Sequence, residues 1–147
     1  MGRQPLPHAT ELRRAVRPRP PHLVRAGRVG HSARMTESNP PSAGNLFAGV
    51  PTRFGGEVFT DLARIGPVRI ERIVSTGQAT PPGEWMEQAW DEWVLLVAGR
   101  AGLTLEGRPA ITLQSGDYLL IPANQRHRVD WTDTPTVWLA VHLDGRG

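Results

Sequence analysis

Two stretches carry side chains that could do chemistry. The first is Gly83-Glu84-Trp85-Met86-Glu87-Gln88-Ala89-Trp90-Asp91-Glu92-Trp93, running into an apolar segment that ends at Ala98. Extended alternation puts Glu92, Val94 and Leu96 on one face and Trp93, Leu95 and Val97 on the other. Both sets are apolar except for Glu92, so Glu92 is a carboxylate at the mouth of a buried strand. Such a group needs a metal ion, an arginine or a retained proton, and a simple salt bridge is the plain alternative. The second stretch runs from Gly116 to Val129. Gly116-Asp117 turns into an apolar strand, Pro122 ends it, and a polar loop leads into the next strand. There His127, Val129 and Trp131 share one face, opposite Arg126, Arg128, Asp130 and Thr132. His127 therefore points inward, as a metal ligand, an acid or a hydrogen-bonded core histidine. Glu92 and His127 are the candidate catalytic residues.

Weaker candidates surround this pair. Val68–Ser75 alternates Val68, Ile70, Arg72 and Val74 against Arg69, Glu71, Ile73 and Ser75. If the first set faces inward, Arg72 enters the interior and can pair with Glu92 or hold an anionic substrate. If the second does, Glu71 adds a carboxylate; a surface ion pair is the third option. Trp131 shares the His127 face and is a candidate pocket wall. Trp138, Ala140 and His142 share one face of the last apolar segment. Trp85, Trp90 and Trp93 cluster as an interface would. Other catalytic signatures are missing: there is no Gly-x-Ser-x-Gly, P-loop, dinucleotide-binding glycine pattern or His-Glu-x-x-His. With no cysteine, disulfides, thiolate metal sites and cysteine nucleophiles are excluded.

The elements that must position these residues are short strands. Val58–Ala63, Val68–Ser75, Glu92–Ala98, Leu103–Glu106, Ile111–Leu113, Asp117–Ile121, Arg126–Thr132 and Thr136–Leu143 are apolar or alternating segments broken by glycine- and proline-rich turns. Only Phe59–Ile65 could form a short helix instead. The pattern predicts an all-β sandwich or small barrel.

Charge divides the chain. Of 147 residues, 17 are basic, all arginine, and 14 acidic, for a net +3. Residues 1–34 hold eight arginines, five prolines and one acid, net +7, without apolar periodicity. Residues 35–147 carry net −4. Met35 followed by a polar lead-in over 35–45 reads like a normal start, so residues 1–34 are read as upstream sequence translated from a misplaced start codon. A disordered tail, an organelle-targeting segment and a nucleic-acid arm are the alternatives. The acidic remainder does not resemble a phosphate-binding surface, so no nucleic-acid partner is expected. No apolar run is long enough to span a membrane and no signal-peptide core is present; a soluble cytoplasmic protein without a membrane partner is expected.

The two chemistry-bearing stretches resemble the two motifs of the cupin superfamily. Gly116, Pro122 and His127 match the second motif, with Asn124 where the family usually has glycine and Trp131 where it has asparagine. Glu92 and Gly99 match the end of the first motif. The family's two histidines fall on Met86 and Gln88, and Gly77 is out of register with its opening glycine. The resemblance covers Leu46 to Leu143 and implies a double-stranded β-helix, or jelly-roll, barrel over 46–147. It implies a metal site at Gln88, Glu92 and His127 with Met86 beside it, for Zn, Mn, Ni or Fe. An amide and a thioether in place of two imidazoles weaken such a site, and a metal-free hydrogen-bonded cluster is the alternative. The implied function is a weakly metal-binding protein acting on a small polar organic molecule, or a non-catalytic cupin that binds or senses a small ligand. Jelly-roll edge strands commonly pair between subunits, which suggests a homodimer.

Overall fold

The computed structural model describes residues 40–53 and 55–144. The expectations for residues 1–34, and for the lead-in before residue 40, lie outside the described residues. Eight strands follow in order: β1 Val58–Ile65, β2 Val68–Ser75, β3 Asp91–Ala98, β4 Ala101–Leu105, β5 Ile111–Leu113, β6 Tyr118–Ile121, β7 His127–Thr132 and β8 Thr136–Leu143. Phe59–Ile65 belongs to a strand, so the helical option there is excluded. Its apolar residues pair across to β2 instead of forming a stripe of their own.

All pairings are antiparallel. One sheet has the order β1-β2-β8-β3-β6 and the other β5-β4-β7. From β3 onward the chain crosses between the sheets at β3–β4, β5–β6, β6–β7 and β7–β8, as in a jelly roll. The sheets pack through Ile73, Val94, Leu96, Trp138 and Ala140 from the first and Ala101 and Leu113 from the second. A second cluster joins Leu103 and Leu105 to Ile121. Burying these apolar faces is the main favourable term for a barrel of this size.

Turn chemistry sets the corners. Gly99 joins β3 to β4 at φ +84°, where a side chain would also meet Pro135 O at 2.6 Å and Thr136 Cα at 2.9 Å. Only glycine fits that corner. Bulges interrupt the ladders at Leu62, Val97 and Asp130, each leaving one residue without a direct partner.

The Asp130 bulge changes what faces the interior. Leu103 pairs with Val129, but Gly102 pairs with Trp131, so Asp130 is the extra residue. Opposed residues share a face. Val129 therefore points inward with Leu103, while Trp131 turns to the outer face over Gly102. Its indole occupies the space a Gly102 side chain would need. Strict alternation had placed Trp131 beside His127; the bulge overturns that.

The choice left open in β2 is also resolved. Ile73 lies opposite Trp138 and Glu71 opposite Ala140, both in the core wall of β8. The inward set is therefore Arg69, Glu71, Ile73 and Ser75, and Arg72 faces outward. Its Nη1 donates to Leu46 O at 3.0 Å and Ala48 O at 2.6 Å, strapping the segment before β1 onto the sheet. Arg72 does not reach the interior as a substrate-pocket residue.

Candidate functional site

Between the sheets lies a cavity lined by Glu57, Met86, Val94, Leu103, Ile121, His127, Val129 and Trp138. The space open to the centre of a water molecule is about 30 Å³. That is room for about two or three waters at about 10–15 Å³ each.

Its floor is built by pairing two distant segments. The loop after β2 runs along β7. Thr80 N donates to Val129 O at 2.8 Å, and Val129 N donates to Thr80 Oγ1 at 2.9 Å. Further on, Met86 N donates to His127 O at 2.7 Å and His127 N to Met86 O at 3.0 Å. This isolated bridge sets Met86 directly opposite His127. Beyond it, Asn124 N donates to Gln88 O at 2.7 Å. Asn124 has φ +62°, the left-handed region. Asparagine tolerates that region better than most residues, which accounts for its standing where the family has glycine.

His127 is fully buried. Its Nδ1 lies 2.9 Å from Gln125 O. A carbonyl can only accept, so Nδ1 carries a proton.

The cavity's second polar group is Glu57, just before β1. Trp138 Nε1 donates to Ser75 Oγ at 3.2 Å, and Ser75 Oγ donates to Glu57 Oε1 at 2.9 Å. An indole N–H can only donate, so Ser75 accepts with a lone pair and gives its single proton to the carboxylate. Sequence reasoning missed Glu57. Its only local signal is its place after Gly55-Gly56 at the entry to a strand.

A second polar cluster occupies the inward face elsewhere. His142 Nε2 lies 3.2 Å from Glu71 Oε1, and Trp90 Nε1 donates to His142 Nδ1 at 3.0 Å. Nδ1 thus accepts, and Nε2 carries the proton toward Glu71. Arg69 Nη1 donates to Glu71 Oε2 at 2.6 Å. Glu71 and His142 are both nearly inaccessible, and each has a defined partner, as burial of such groups requires.

Of the residues picked out from sequence, Met86 and His127 meet in the cavity. Glu92 is 1% exposed and inward, opposite Ile121 and His142 on its neighbouring strands. Val94, its next same-face neighbour, lines the cavity; Glu92 and Gln88 are not among the lining residues. The Gln88 Nε2 is buried with no hydrogen-bond partner among the described residues. Arg72 and Trp131 lie on the outer faces.

The four positions that the cupin resemblance assigns to metal ligation hold a thioether, an amide, a carboxylate and one imidazole. Among the described residues, no three His, Cys, Asp or Glu side chains converge as metal ligands. This donor set does not fit the family's imidazole-rich shell for a first-row divalent ion.

Comparison with known proteins gives the family. The cupin domain family matches residues 73–142. A protein of Ralstonia eutropha JMP134, provisionally named a mannose-6-phosphate isomerase, is 50% identical. The match covers 71% of this chain and 100% of that one, with a TM-score of 0.68. A cupin superfamily protein of Desulfitobacterium hafniense DCB-2 is 22% identical over 71% of this chain and 93% of its own, with a TM-score of 0.58. The conserved SPY1581 protein of Streptococcus pyogenes is 14% identical over 80% of this chain and 100% of its own, at 0.59. The last two share the fold. No curated protein matches the chain.

Proposed function

The chain belongs to the cupin family, and from that premise we propose a small-molecule-binding protein that works without a resident metal ion. The site is the cavity between Met86, His127 and Glu57. The observation that carries this reading is the cavity's lining: six apolar side chains and two oriented polar groups. Such a lining is typical of small-ligand sites, where apolar walls supply affinity and a few fixed polar atoms set orientation. The Gln125 carbonyl fixes the His127 tautomer, and the Ser75 hydroxyl fixes the Glu57 carboxylate. The ligand is a small organic molecule in contact with both. Zn, Mn, Ni or Fe is not required, because the two family histidines are Met86 and Gln88. The name of the Ralstonia relative points to a sugar phosphate. Against that, no arginine is among the described lining residues, and phosphate recognition ordinarily uses one.

The test is a fragment screen by NMR on chelator-treated protein. Binders are expected to shift the Trp138 indole N–H and to raise thermal stability as mass action requires. Filling the cavity by Met86→Trp should abolish binding while the far-UV spectrum stays unchanged. Binding that needs added metal, or that survives Met86→Trp, would overturn the proposal.

A further inference from the structure

Opposed residues on neighbouring strands share a face, so the strand register gives the outer surface of the five-stranded sheet row by row. The middle row is Ala63, Ile70, Val141, Trp93 and Leu120, apolar across all five strands. The row on one side runs Thr60, Arg72, Leu139, Leu95 and Tyr118. Its arginine already holds Leu46 O and Ala48 O. On the other side Ile65, Val68 and Leu143 continue the apolar field, which ends at Asp91. Much of this surface is open: Ile65 is 62%, Tyr118 69% and Leu120 52% exposed. Trp93 stacks on Tyr118, with 5.8 Å between ring centroids. A contiguous exposed apolar surface of this kind marks a docking site.

Size and chemistry together pick the occupant. Five strands spaced by about 4.8 Å, with roughly 20 Å of open strand length, give on the order of 500 Å² in projection. Two such faces together reach the roughly 1,000 Å² that a specific interface needs. The three rows offer little charge for a partner of opposite sign to read. What they match is another apolar sheet face, and a second copy presents one, row against row, about a two-fold axis. Sheet faces stack in this way about 10 Å apart, with strands within about 30° of aligned. The first 34 residues of the chain, with eight arginines, five prolines and no apolar periodicity, have the wrong chemistry to cover it. Edge pairing is the poorer route to assembly, because β1 is interrupted by its bulge at Leu62 and β6 has only four residues.

We infer that the outer face of the five-stranded sheet binds a second copy of this chain, face to face, with Trp93, Tyr118 and Leu120 as its anchors. Large aromatic side chains in covered patches carry much of the energy of such contacts. The cavity lies on the opposite face of the same sheet, so this inference stands or falls independently of the binding reading.

Sedimentation equilibrium on the full chain tests it. The expected species has twice the 16.1 kDa mass of the chain, with a dissociation constant of about 10 μM or below. A mixture of isotope-labelled and unlabelled chains should show intermolecular NOEs among the side chains of Trp93, Tyr118, Leu120 and Val141. Tyr118→Asp and Leu120→Asp replace exposed side chains, so both should keep the wild-type far-UV spectrum. Each should weaken the dimer at least about tenfold, because the new carboxylate is buried without a partner. The double variant should be monomeric. Ile111→Asp, at an exposed apolar residue of the other sheet, should leave the assembly unchanged. A dimer that persists in the double variant overturns the inference, as do intermolecular NOEs between backbone amides along β1 or β6, since assembly then uses another surface. A wild type that stays monomeric at about 100 μM overturns it as well. That holds whether a soluble paramagnetic probe then reaches the Tyr118 and Leu120 side chains or finds them covered by residues 1–34.

Discussion

Met86 and His127 face each other across a single antiparallel bridge, bonded through both backbones at 2.7 and 3.0 Å. The bridge ties the first cupin motif to the second at a pair of positions where the family carries histidines. The scaffold of the family site is therefore present, and what differs is the donor chemistry set on it. The variant Met86→His with Gln88→His restores the two imidazoles beside His127 and Glu92. Chelator-treated wild type, incubated with nickel or zinc and then desalted, should retain well under one ion per chain. The double variant should retain about one. At a hundredfold excess over Kd the ion should stabilise the double variant by about 2.7 kcal/mol. Equal metal content in the two proteins would show that the lost histidines are not what limits metal binding.

Arg72 strap residues give a second prediction. Arg72 is 9% exposed, and its guanidinium holds the main-chain carbonyls of Leu46 and Ala48. Hydrogen bonds to a charged group are worth about 1.5–3 kcal/mol. Arg72→Ala should therefore cost about 2–3 kcal/mol in chemical denaturation, and speed amide exchange over residues 45–48. Cavity binding should stay within about twofold of wild type, because Arg72 lies on the other face of the sheet. A loss of ligand binding without loss of stability would return Arg72 to the pocket.

Much of the fold was legible because turn chemistry and alternation agree. β2, β5 and β8 begin and end where sequence alone put them, flanked by Gly66-Pro67, Ser115-Gly116 and Pro135. Alternation was enough to turn His127 inward. It failed at Trp131, because a one-residue bulge at Asp130 has no local signature and reverses every face beyond it. It could not choose a face for β2, where either choice buries a charge. The choice was made by the packing of Ile73 against Trp138 and by the partners waiting for Glu71. Glu57 was invisible for a different reason. Its position depends on Ser75 and Trp138, 18 and 81 residues further along the chain.

Gly102 and Trp131 form the pair that the bulge creates. Trp131 Cδ1 and Cε2 lie 2.6 and 3.0 Å from where a Gly102 side chain would start. Gly102→Ala must push the indole off the sheet, because the obstacle is a side chain and not backbone. A cost of about 1–2 kcal/mol is expected, within the range for overpacking. Trp131 is 39% exposed already, so its displacement should shift tryptophan emission to the red. In a Trp131→Ala background the same glycine change should cost about 1 kcal/mol less, a coupling that a double-mutant cycle reads directly. Additive effects would mean that the two residues do not touch.

Asp61 gives the prediction in pH. Arg64 Nη2 donates to Asp61 Oδ2 at 2.9 Å, and Arg69 Nη1 lies 3.6 Å from Oδ1. The Arg64 hydrogen bond, aided by the charges of Arg64 and Arg69 and opposed by partial burial, holds the Asp61 carboxyl below its ordinary value of 3.8. A carboxylate with a lowered pKa in the folded state stabilises the fold fully above pH 3.8. That contribution fades as pH falls through the folded-state value. Asp61 is 39% and Arg64 64% exposed, so solvent screens the pair. It is worth at most about 0.5 kcal/mol, less at high salt. An NMR titration should place the Asp61 midpoint below 3.8 in wild type and move it upward in Arg64→Ala. A shift that remains in Arg64→Ala would assign it to Arg69 instead.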